Sequence, residues 1–345
     1  MRAVRLAGTG TVEIVDRAMP VVRAGHALVR VDLVGLCGSD LSYFRKGANG
    51  DFRVRAPLVL GHEIVGTVVE APADDAFVTV GDRVAVHPVW PCPRPGQHDV
   101  PDDLREESPS FLGSASTWPH TDGGLQEYLA LRTERLRVIP AELPSAAAVL
   151  AEPTAVVLHA LSRAGDLRGA EAFVCGAGPI GLLAVLALRR AGARRVTVSD
   201  VREAPLALAR RIGADAVVDL SVEEPRASCA DVVIEASGVP AALESAVSIA
   251  RADARIVQLG MLPRDPRPIA LSGIVTKELH LIGTHRFSGE FDDALRLLRD
   301  SPHAAEIVTA VTPLESAASA FETMVDPTVS GKVVVDVSGR IDRRV

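Results

Sequence analysis

The chain has 345 residues, of which 48% are hydrophobic and 23% are charged, and its net charge is −7. This length predicts two domains of roughly 150 residues, each able to bury its own core. The negative charge argues against nucleic acid or an anionic membrane as a general partner.

Residues 1 to about 145 predict mostly β structure. Regular alternation of strands with helices is missing here, so this part favours a barrel-like or sandwich-like domain. One segment, residues 87–112, contains six prolines and many charges, which predicts a long irregular excursion on the surface. The predicted strands, bounded by Gly, Pro and Asp turns, are residues 11–15, 27–35, 63–70, 83–86 and 134–139.

After about residue 145, predicted strands alternate with predicted helices. This alternation is typical of a doubly wound parallel sheet, which makes the chain an α/β protein. The turn at 330–332 before a last β-rich run indicates that the chain returns to the first domain. The predicted helices are 146–164, 179–191, 203–212, 290–299 and 315–324, and the strands are 172–175, 195–200, 216–220, 231–235, 255–259, 279–283 and 332–337.

The cysteines and the apolar runs predict the cellular compartment of the protein. Four cysteines, at positions 37, 92, 175 and 229, are dispersed along the chain. This pattern predicts a reducing environment and no disulfide framework. No apolar signal region opens the sequence, and no apolar run reaches the roughly 18 residues of a membrane span. We therefore expect a cytoplasmic protein.

A glycine-rich turn follows the strand predicted at 172–175. In Gly176-Ala-Gly178-Pro-Ile-Gly181, the first glycine permits a tight turn and the second lets the backbone approach a pyrophosphate. Gly181 lets the next helix pack on its strand. That helix opens with Pro179 and Ile180, and its N-terminus supplies amide donors and the positive end of a dipole. The motif predicts a dinucleotide-binding site.

Further cofactor contacts are predicted at the ends of neighbouring strands. Asp200 ends the strand after the glycine motif, where its carboxylate would accept hydrogen bonds from ribose hydroxyls and repel a 2′-phosphate. NAD is therefore favoured, while the nearby Arg202 leaves NADP open. Gly238, Leu259 and Gly260 follow later strands, so they are candidates to line the nicotinamide half of the site, with ordinary strand-end turns as the alternative.

A thiol, an imidazole and a carboxylate lie close to one predicted strand. Cys37 precedes a polar stretch, and His62 with Glu63 opens the β-branched run 64–69. These donor types suit zinc. A lone cysteine and a lone histidine are as readily core residues, so this pattern alone leaves both interpretations open. Glu152, near the expected junction of the domains, could complete a set of ligands.

Six short motifs together resemble the zinc-dependent medium-chain alcohol dehydrogenase family, and the resemblance spans essentially the whole chain. A second set of sequence motifs is similar to the polyol and aldonate branch of that family; these motifs lie at residues 59–63, 111–114, 119–124 and 283–287. The six are Cys37-Gly-Ser-Asp-Leu41, Gly61-His-Glu63, Gly81-Asp-Arg-Val84, Asp122-Gly-Gly124, Glu152-Pro153 and the glycine motif 176–181.

This resemblance implies a domain plan and an activity. A GroES-like catalytic domain would cover residues 1–150, a Rossmann NAD(P)-binding domain 151–287, and a C-terminal return to the catalytic domain 288–345. The expected enzyme oxidises a secondary alcohol of a polyol or sugar acid to a ketone with NAD(P)⁺. The family also suggests a homodimer or homotetramer that acts on small molecules.

The resemblance further implies roles for individual residues. Cys37, His62 and Glu152 match the ligands of one catalytic zinc, and Glu63 matches a conditional ligand that approaches the metal during turnover. A permanent second carboxylate would blunt the Lewis acidity of the ion, and catalysis needs an open coordination position. Ser39 matches the hydroxyl that takes the proton of the alcohol.

The sequence departs from the family pattern at three places, one of which is the pair of arginines, Arg53 and Arg55, before Gly61-His62. Where many members have four closely spaced cysteines for a structural zinc, only Cys92 remains, so we expect no structural zinc. Ser42 stands where the branch often has a histidine of the proton relay. The relay beyond the first hydroxyl is therefore expected to run through water or Tyr43.

A carboxylate on the substrate would need a cation. Arg286 is the strongest candidate, because arginine binds carboxylates in a bidentate manner. The other candidates, which are as readily solvated surface charges, are Lys46, Arg53 and Arg55.

Two alternatives stay beside the zinc dehydrogenase. A zinc-free reductase of the same superfamily would lack the metal ligands, yet all three positions are filled. A nucleotide-binding sensor that retained the fold would show no turnover. Within the enzyme hypothesis, a neutral polyol is the alternative to a sugar acid.

Overall fold

The computed structural model describes residues 1–105, 107–266, 268–326 and 328–340. The chain divides into two compact units. The first comprises Met1–Glu152 and the described residues from Val308 onward, and the second is Pro153–Ile307. Within these described ranges, no helix combines the length and the apolar character that crossing a membrane requires.

Strands dominate the chain up to about residue 145, and strands alternate with helices after it. The strands are β1 (Arg2–Gly8), β2 (Thr11–Asp16), β3 (His26–Gly35), β4 (Ala48–Asn49), β5 (Phe52–Arg53), β6 (Leu58–Val59), β7 (Glu63–Glu70), β8 (Arg83–Val86), β9 (Val89–Trp90), β10 (Ser110–Phe111), β11 (Tyr128–Arg132), β12 (Leu136–Val138), β13 (Glu171–Cys175), β14 (Arg195–Asp200), β15 (Ala216–Asp219), β16 (Ala230–Glu235), β17 (Ala250–Gln258), β18 (His280–Gly283), β19 (Val308–Pro313) and β20 (Lys332–Asp336). The α-helices are α1 (Gly38–Lys46), α2 (Ser145–Ala148), α3 (Ala151–Arg163), α4 (Pro179–Arg190), α5 (Glu203–Arg211), α6 (Pro240–Ile249), α7 (Ser272–Thr276), α8 (Phe291–Arg299) and α9 (Ala317–Thr323). Short 3₁₀ turns cover Asp102–Leu104, Thr133–Arg135, Ala304–Ile307 and Leu314–Ser316.

The first unit is built around a sheet in the order β12-β8-β7-β3-β20-β19, with β11 also paired to β3. A smaller sheet, β2-β1-β6, completes the β-rich unit, as the sequence predicts. The central strands β3 and β7 are antiparallel and rich in valine, whose branched side chains pack well on a pleated surface. The inward-facing residues Val29, Val31 and Val34 are fully buried, so this pair forms the rigid centre of the unit.

The second unit contains a six-stranded parallel sheet in the order β15-β14-β13-β16-β17-β18. This order confirms the predicted doubly wound sheet. Helix α4 contributes eight buried residues in succession, from Gly181 to Leu188. Because crossover helices cover parallel sheets, the central strands β13 and β16 are buried at successive residues, 172–175 and 232–235, rather than at every second residue.

The helix predicted over 146–164 is in fact two helices, α2 and α3, separated at Val149 and Leu150. Pro153 explains the break. In one continuous helix its ring would clash with the carbonyl of Val149 and its missing N–H would leave that carbonyl without a donor. Starting α3 at Ala151 places the proline in the first turn, where neither penalty arises.

The segment 87–112 is more ordered than the sequence indicates. Strands β9 and β10 pair, and Trp90, Cys92 and Leu104 form a small core of their own. The prediction of an irregular surface excursion was therefore wrong for these residues. The indole of Trp90 donates to Glu107 over 2.9 Å, which the proline- and charge-rich composition does not reveal.

Two buried arginines fasten this segment to the sheet. Arg135 is 6% exposed and donates through Nε to the carbonyl of His87 over 3.0 Å and through Nη2 to the carbonyl of Pro88. Arg137 donates to the carbonyls of Glu134 and Pro93, each over 2.6 Å. Burial lowers the pKa of Arg135 to about 10, so it is still charged at neutral pH. Two guanidinium groups thus anchor the segment 87–112, for which the sequence predicts no structural zinc.

We predict that Arg135→Met lowers the unfolding free energy by about 1–3 kcal/mol, because the His87 carbonyl loses its donor and the Pro88 carbonyl keeps only the Leu112 N–H. Denaturant unfolding measures this change. Arg105→Met is the matched control, since Arg105 is an exposed arginine of the same segment. Equal destabilisation by both substitutions would contradict the anchoring role.

Candidate metal centre and nucleotide site

Three potential ligands meet where β3 and β7 end. Strand β3 stops at Gly35, two residues before Cys37, and β7 begins at Glu63, directly after His62. Gly35 pairs with Glu63 in the antiparallel register, so the two strand ends lie side by side. One ligand atom each from Cys37, His62 and Glu63 fall within 4.8 Å of one another. His62 and Glu63 are buried and Cys37 is half-buried.

Asp40 holds these strand ends together, a role that the sequence analysis missed. It is fully buried, and its Oδ2 accepts a hydrogen bond from the Cys37 N–H over 2.9 Å. Its Oδ1 accepts from the Gly61 N–H over 3.2 Å and lies 3.7 Å from Nδ1 of His62. The available signal was an acidic residue in the first turn of a helix that begins after Cys37.

The electrostatics of this cluster favour a cation. Burial lowers the pKa of His62, but Asp40, Cys37 and Glu152 outweigh burial and raise it well above its usual value. The pKa of Glu152 is raised to about 7, chiefly by burial; the charge of His62 opposes this rise and that of Glu63 contributes to it. Glu152 lies outside the 4.8 Å group but interacts with two of its members. A positive charge at this position would stabilise the carboxylates and the thiolate together.

Glu63 also pairs with a lysine from the far end of the chain. The Nζ of Lys332 donates to Oε1 of Glu63 over 2.6 Å and to the carbonyl of Leu36 over 3.2 Å. The other carboxylate oxygen, Oε2, is buried without a hydrogen-bond partner among the residues that the structure describes. A Cβ on Gly35 would lie 2.1 Å from this oxygen, so only glycine leaves room for the carboxylate.

These residues fit a zinc ion. The donors are a thiolate, an imidazole and carboxylates, which are the ligand types of catalytic zinc sites. A buried carboxylate oxygen without a partner is costly, and a metal ion would satisfy it. Among the described residues, the group of Cys37, His62 and Glu63 is the one cluster of three such ligands.

The remaining predicted residues of the first unit differ in their surroundings. Ser39 and Ser42 lie on α1, the former in its first turn. Tyr43 is buried, and its hydroxyl lies 3.2 Å from Oγ of Ser114 and accepts from the Ala115 N–H over 3.2 Å. This hydroxyl is therefore already engaged. The three cationic candidates Lys46, Arg53 and Arg55 are exposed.

In the second unit, the glycine motif adopts the conformation that its spacing predicts. Gly176 has φ +98°, which favours glycine. A Cβ on Gly181 would lie 1.9 Å from the carbonyl oxygen of Gly176, so α4 packs too closely for any side chain. A Cβ on Gly178 would meet nothing within 4 Å, which leaves open space beside the start of α4 at Pro179 and Ile180. This is the setting that a pyrophosphate requires.

Asp200 binds the glycine motif directly. Its Oδ2 accepts from the Ala177 N–H over 2.9 Å, and its Oδ1 accepts from the Arg202 N–H over 3.1 Å. The Arg202 guanidinium Nε lies 3.6 Å from the same Oδ1. A carboxylate and a guanidinium group are thus adjacent; the first type of group suits ribose hydroxyls and the second suits a 2′-phosphate.

A second buried carboxylate, missed by the sequence analysis, organises the neighbouring strand ends. Glu235 ends β16 and accepts from the N–H groups of Ser237 and Gly238 over 2.8 and 3.1 Å and from the amide of Gln258. A Cβ on Gly260 would lie 2.1 Å from the Gly238 nitrogen, so the two turns pack backbone to backbone. The signal was an acidic residue closing an apolar strand. Leu259 is half-buried beside this pair of turns.

Arg286 follows β18 in the second unit. It has φ +57°, a left-handed conformation that is uncommon for a residue with a side chain. Its charge lowers the pKa of His285, together with the larger effect of burial. A strained backbone that fixes an arginine is a reason to test its function.

Comparisons with known proteins match both parts of the chain. The description "alcohol dehydrogenase GroES-like domain" matches residues 23–141, and "zinc-binding dehydrogenase" matches residues 179–300. The chain is 32% identical to L-idonate 5-dehydrogenase (NAD(P)(+)) of Escherichia coli K12, over 95% of this chain and 96% of that protein. It is 32% identical to sorbitol dehydrogenase of Bos taurus, over 92% and 90%. The crystal structure of L-idonate 5-dehydrogenase from Escherichia coli matches with a TM-score of 0.87 and 30% identity, covering 97% of this chain and 98% of that chain.

We predict that Gly178→Ala and Gly181→Ala impair nucleotide binding for different reasons. The added methyl at 178 enters the open space, so the unfolding free energy should stay within about 0.5 kcal/mol while the Kd for NADH rises at least about tenfold. The methyl at 181 overlaps backbone, so it should reduce both stability and binding. Fluorescence titration with NADH and denaturant unfolding measure the two effects. Unchanged binding by the 178 variant would refute the pyrophosphate position.

Proposed function

This chain belongs to the zinc-dependent, GroES-like alcohol dehydrogenase family, and we propose that it oxidises a secondary alcohol of a sugar acid or polyol to a ketone with NAD(P)⁺. The observation that carries the proposal is the close group of Cys37, His62 and Glu63 in a chain that also has a complete dinucleotide motif. The similar proteins named above act on L-idonate and sorbitol, a sugar acid and a polyol, which supports this substrate class.

We assign the resident zinc ligands to Cys37, His62 and Glu152, with Glu63 as a conditional ligand. Lys332 bonds to Glu63 over 2.6 Å, so that carboxylate has a cationic partner without the metal, whereas Glu152 is buried and matches the third ligand position of the family. Zinc bound there supplies Lewis acidity, which lowers the pKa of an alcohol hydroxyl group. The thiolate and one carboxylate balance the charge of the ion, so its acidity is retained.

The proton of the alcohol needs an acceptor from the chain. Ser39 is the proposed acceptor, because it lies in the first turn of α1, two residues after Cys37. Tyr43 is the next candidate of the relay, but its hydroxyl bonds to Ser114 and the Ala115 backbone and would have to exchange one of these partners. A path through water avoids that exchange.

The nicotinamide cofactor supplies the hydride acceptor. The backbone around Gly176, Gly178 and Gly181 would hold its pyrophosphate, and Asp200 would bind its ribose. The paired turns at Gly238 and Gly260, fixed by Glu235, would line the nicotinamide half. Binding and orientation are the contributions of these residues, since a correctly placed cofactor and alcohol react without further covalent chemistry from the protein.

We infer that the protein is a cytoplasmic homo-oligomer. All four cysteines, each within the described ranges, are free, as a reducing compartment favours. Strand β18 ends its sheet, so its outer edge pairs with no other described strand. Such an edge is a template for pairing with a second copy.

We predict that Cys37→Ala and Glu152→Ala each lose bound zinc and fall at least about 100-fold in kcat/KM, because the ligand set is incomplete. Cys92→Ala is the control, since Cys92 is buried away from the group of ligands. Elemental analysis should find about one zinc per wild-type chain. Retention of zinc by both ligand variants would refute the assignment, and two zinc ions per chain would contradict the expected loss of the structural site.

We predict that sugar acids outperform the matching neutral polyols, if Arg286 binds the substrate carboxylate. A panel of polyols and their aldonates, scored by nicotinamide reduction with NAD⁺ and NADP⁺ separately, tests this. Arg286→Met should raise KM for an aldonate at least about tenfold and leave KM for a neutral polyol unchanged. Faster turnover of every neutral polyol would favour the polyol alternative, and no turnover of any alcohol would favour a nucleotide-binding sensor.

A further inference from the structure

A cavity of about 640 Å³ lies on the sheet of the second unit and belongs to neither of the sites described above. Its volume is within the range of small-molecule sites. The first residues of β13, β14, β15 and β16 all line it, whereas the glycine motif and Asp200 lie at the carboxyl ends of β13 and β14. The cavity is therefore at the opposite edge of the sheet from the nucleotide site.

One face of the sheet forms the floor of this cavity, to which Phe173, Thr197 and Val218 contribute. Phe173 is paired with Thr197 in the parallel register, so their side chains share one face. The neighbouring Val174 points the other way, because a Cβ on Gly181 of α4 would lie 3.3 Å from its Cγ1. Helix α4 thus covers the opposite face, and the floor is mainly apolar.

The floor is open because the connection between β15 and β16 contains no helix. Residues 220–229, all of which the structure describes, form turns and irregular chain. Parallel strands are usually joined by a crossover helix that covers one face of the sheet. Here the connection contributes Arg226, Ser228 and Cys229 to the wall of the cavity instead.

Arginines make this wall positive, although the chain as a whole has a net charge of −7. Arg194 pairs with Glu171, which also lines the cavity, over 2.6 Å, and Arg251 pairs with Asp231 over 2.8 Å. These two pairs are neutral, so the other two arginines leave two positive charges uncompensated. The four arginines of the wall are Arg194, Arg195, Arg226 and Arg251.

Arg195 and Arg226 are the two arginines without a counter-ion. Both are exposed, and neither forms an ion pair or a side-chain hydrogen bond with a residue in the described ranges. Arg195 begins β14, and Arg226 lies in the connection before β16, so the sheet and the connection each supply one cation. Cations that border a concave surface raise the local concentration of anions.

We propose that this cavity binds a small organic phosphate, with the phosphate on Arg195 and Arg226 and an apolar body on the floor. A phosphate monoester carries about −1.5 to −2 charges at pH 7, which matches the two uncompensated guanidinium groups. The guanidinium fork also suits phosphate oxygens in a bidentate manner. Burial of an apolar body adds affinity that inorganic phosphate lacks. Such a site is separate from the dehydrogenase chemistry proposed above.

The test titrates phenyl phosphate into the whole protein by calorimetry, in the presence of saturating NADH so that the nucleotide site is occupied. Inorganic phosphate is the comparison probe. We expect phenyl phosphate to bind more tightly than inorganic phosphate, because its ring reaches the floor at Phe173 and Val218.

The double variant Arg195→Gln with Arg226→Gln should raise the Kd for phenyl phosphate at least about tenfold, because two charged hydrogen-bond donors are lost. Arg210→Gln is the matched control, since Arg210 is an exposed arginine of the same unit that pairs with Glu203 outside the cavity. This control should leave the Kd unchanged. All these variants should keep their dehydrogenase turnover, since none of the three arginines belongs to the zinc or nucleotide site.

A second measurement locates the probe without any substitution. Cys229 is half-buried in the wall of the cavity, and Cys37 is half-buried at the metal centre. Phenyl phosphate should slow the alkylation of Cys229 by iodoacetamide, followed by peptide mass spectrometry, and leave that of Cys37 unchanged. Protection of Cys37 instead would place the probe at the metal centre and overturn the proposal.

Two outcomes of the titration also overturn it. An unchanged Kd in the double variant would place the probe elsewhere, and phenyl phosphate that binds no more tightly than inorganic phosphate would indicate an adventitious ion only. Absence of dehydrogenase turnover in the wild type would refute the proposed function and leave this phosphate site standing.

Discussion

The antiparallel pairing of β3 with β7 decides where the chemistry of the first unit can occur. Gly35 is opposite Glu63, so the residues just beyond the two strand ends, Cys37 and His62, are brought together by backbone hydrogen bonds rather than by loops. The absence of a side chain at Gly35 admits the Glu63 carboxylate between the strands. A rigid sheet thus sets the distances between ligands, which is what a metal site of defined geometry requires.

Buried carboxylates organise both units, and polar or cationic partners stabilise the charge of each. Asp40 is compensated by backbone N–H groups, Glu63 by Lys332, and Glu235 by two turns and an amide. A buried charge without such partners is strongly unfavourable, so these contacts also define the local backbone. Glu152 is different, because its pKa is raised to about 7 and its neighbours do not fully stabilise its charge. That imbalance is what a bound cation would correct.

The segment 87–112 is held in place by hydrogen bonds from buried side chains of the neighbouring chain segment 134–137. Cys92 is the one cysteine of this segment, and it packs with Trp90 and Leu104 in a small core. Buried guanidinium groups from Arg135 and Arg137 supply several donors in a fixed geometry to backbone carbonyls.

The sequence by itself determined the α/β class, most strands of both sheets and the dinucleotide motif, because these follow from local periodicity and from glycines whose roles depend on adjacent residues. It also singled out Cys37, His62 and Glu63 as possible ligands by their side-chain types, and the resemblance added Glu152. Only the tertiary structure revealed that Lys332 bonds to a residue 269 positions away, because no local pattern records such a contact. The same holds for the partners of Asp40 and for the arginines of the 87–112 segment, whose burial depends on the packing of distant strands.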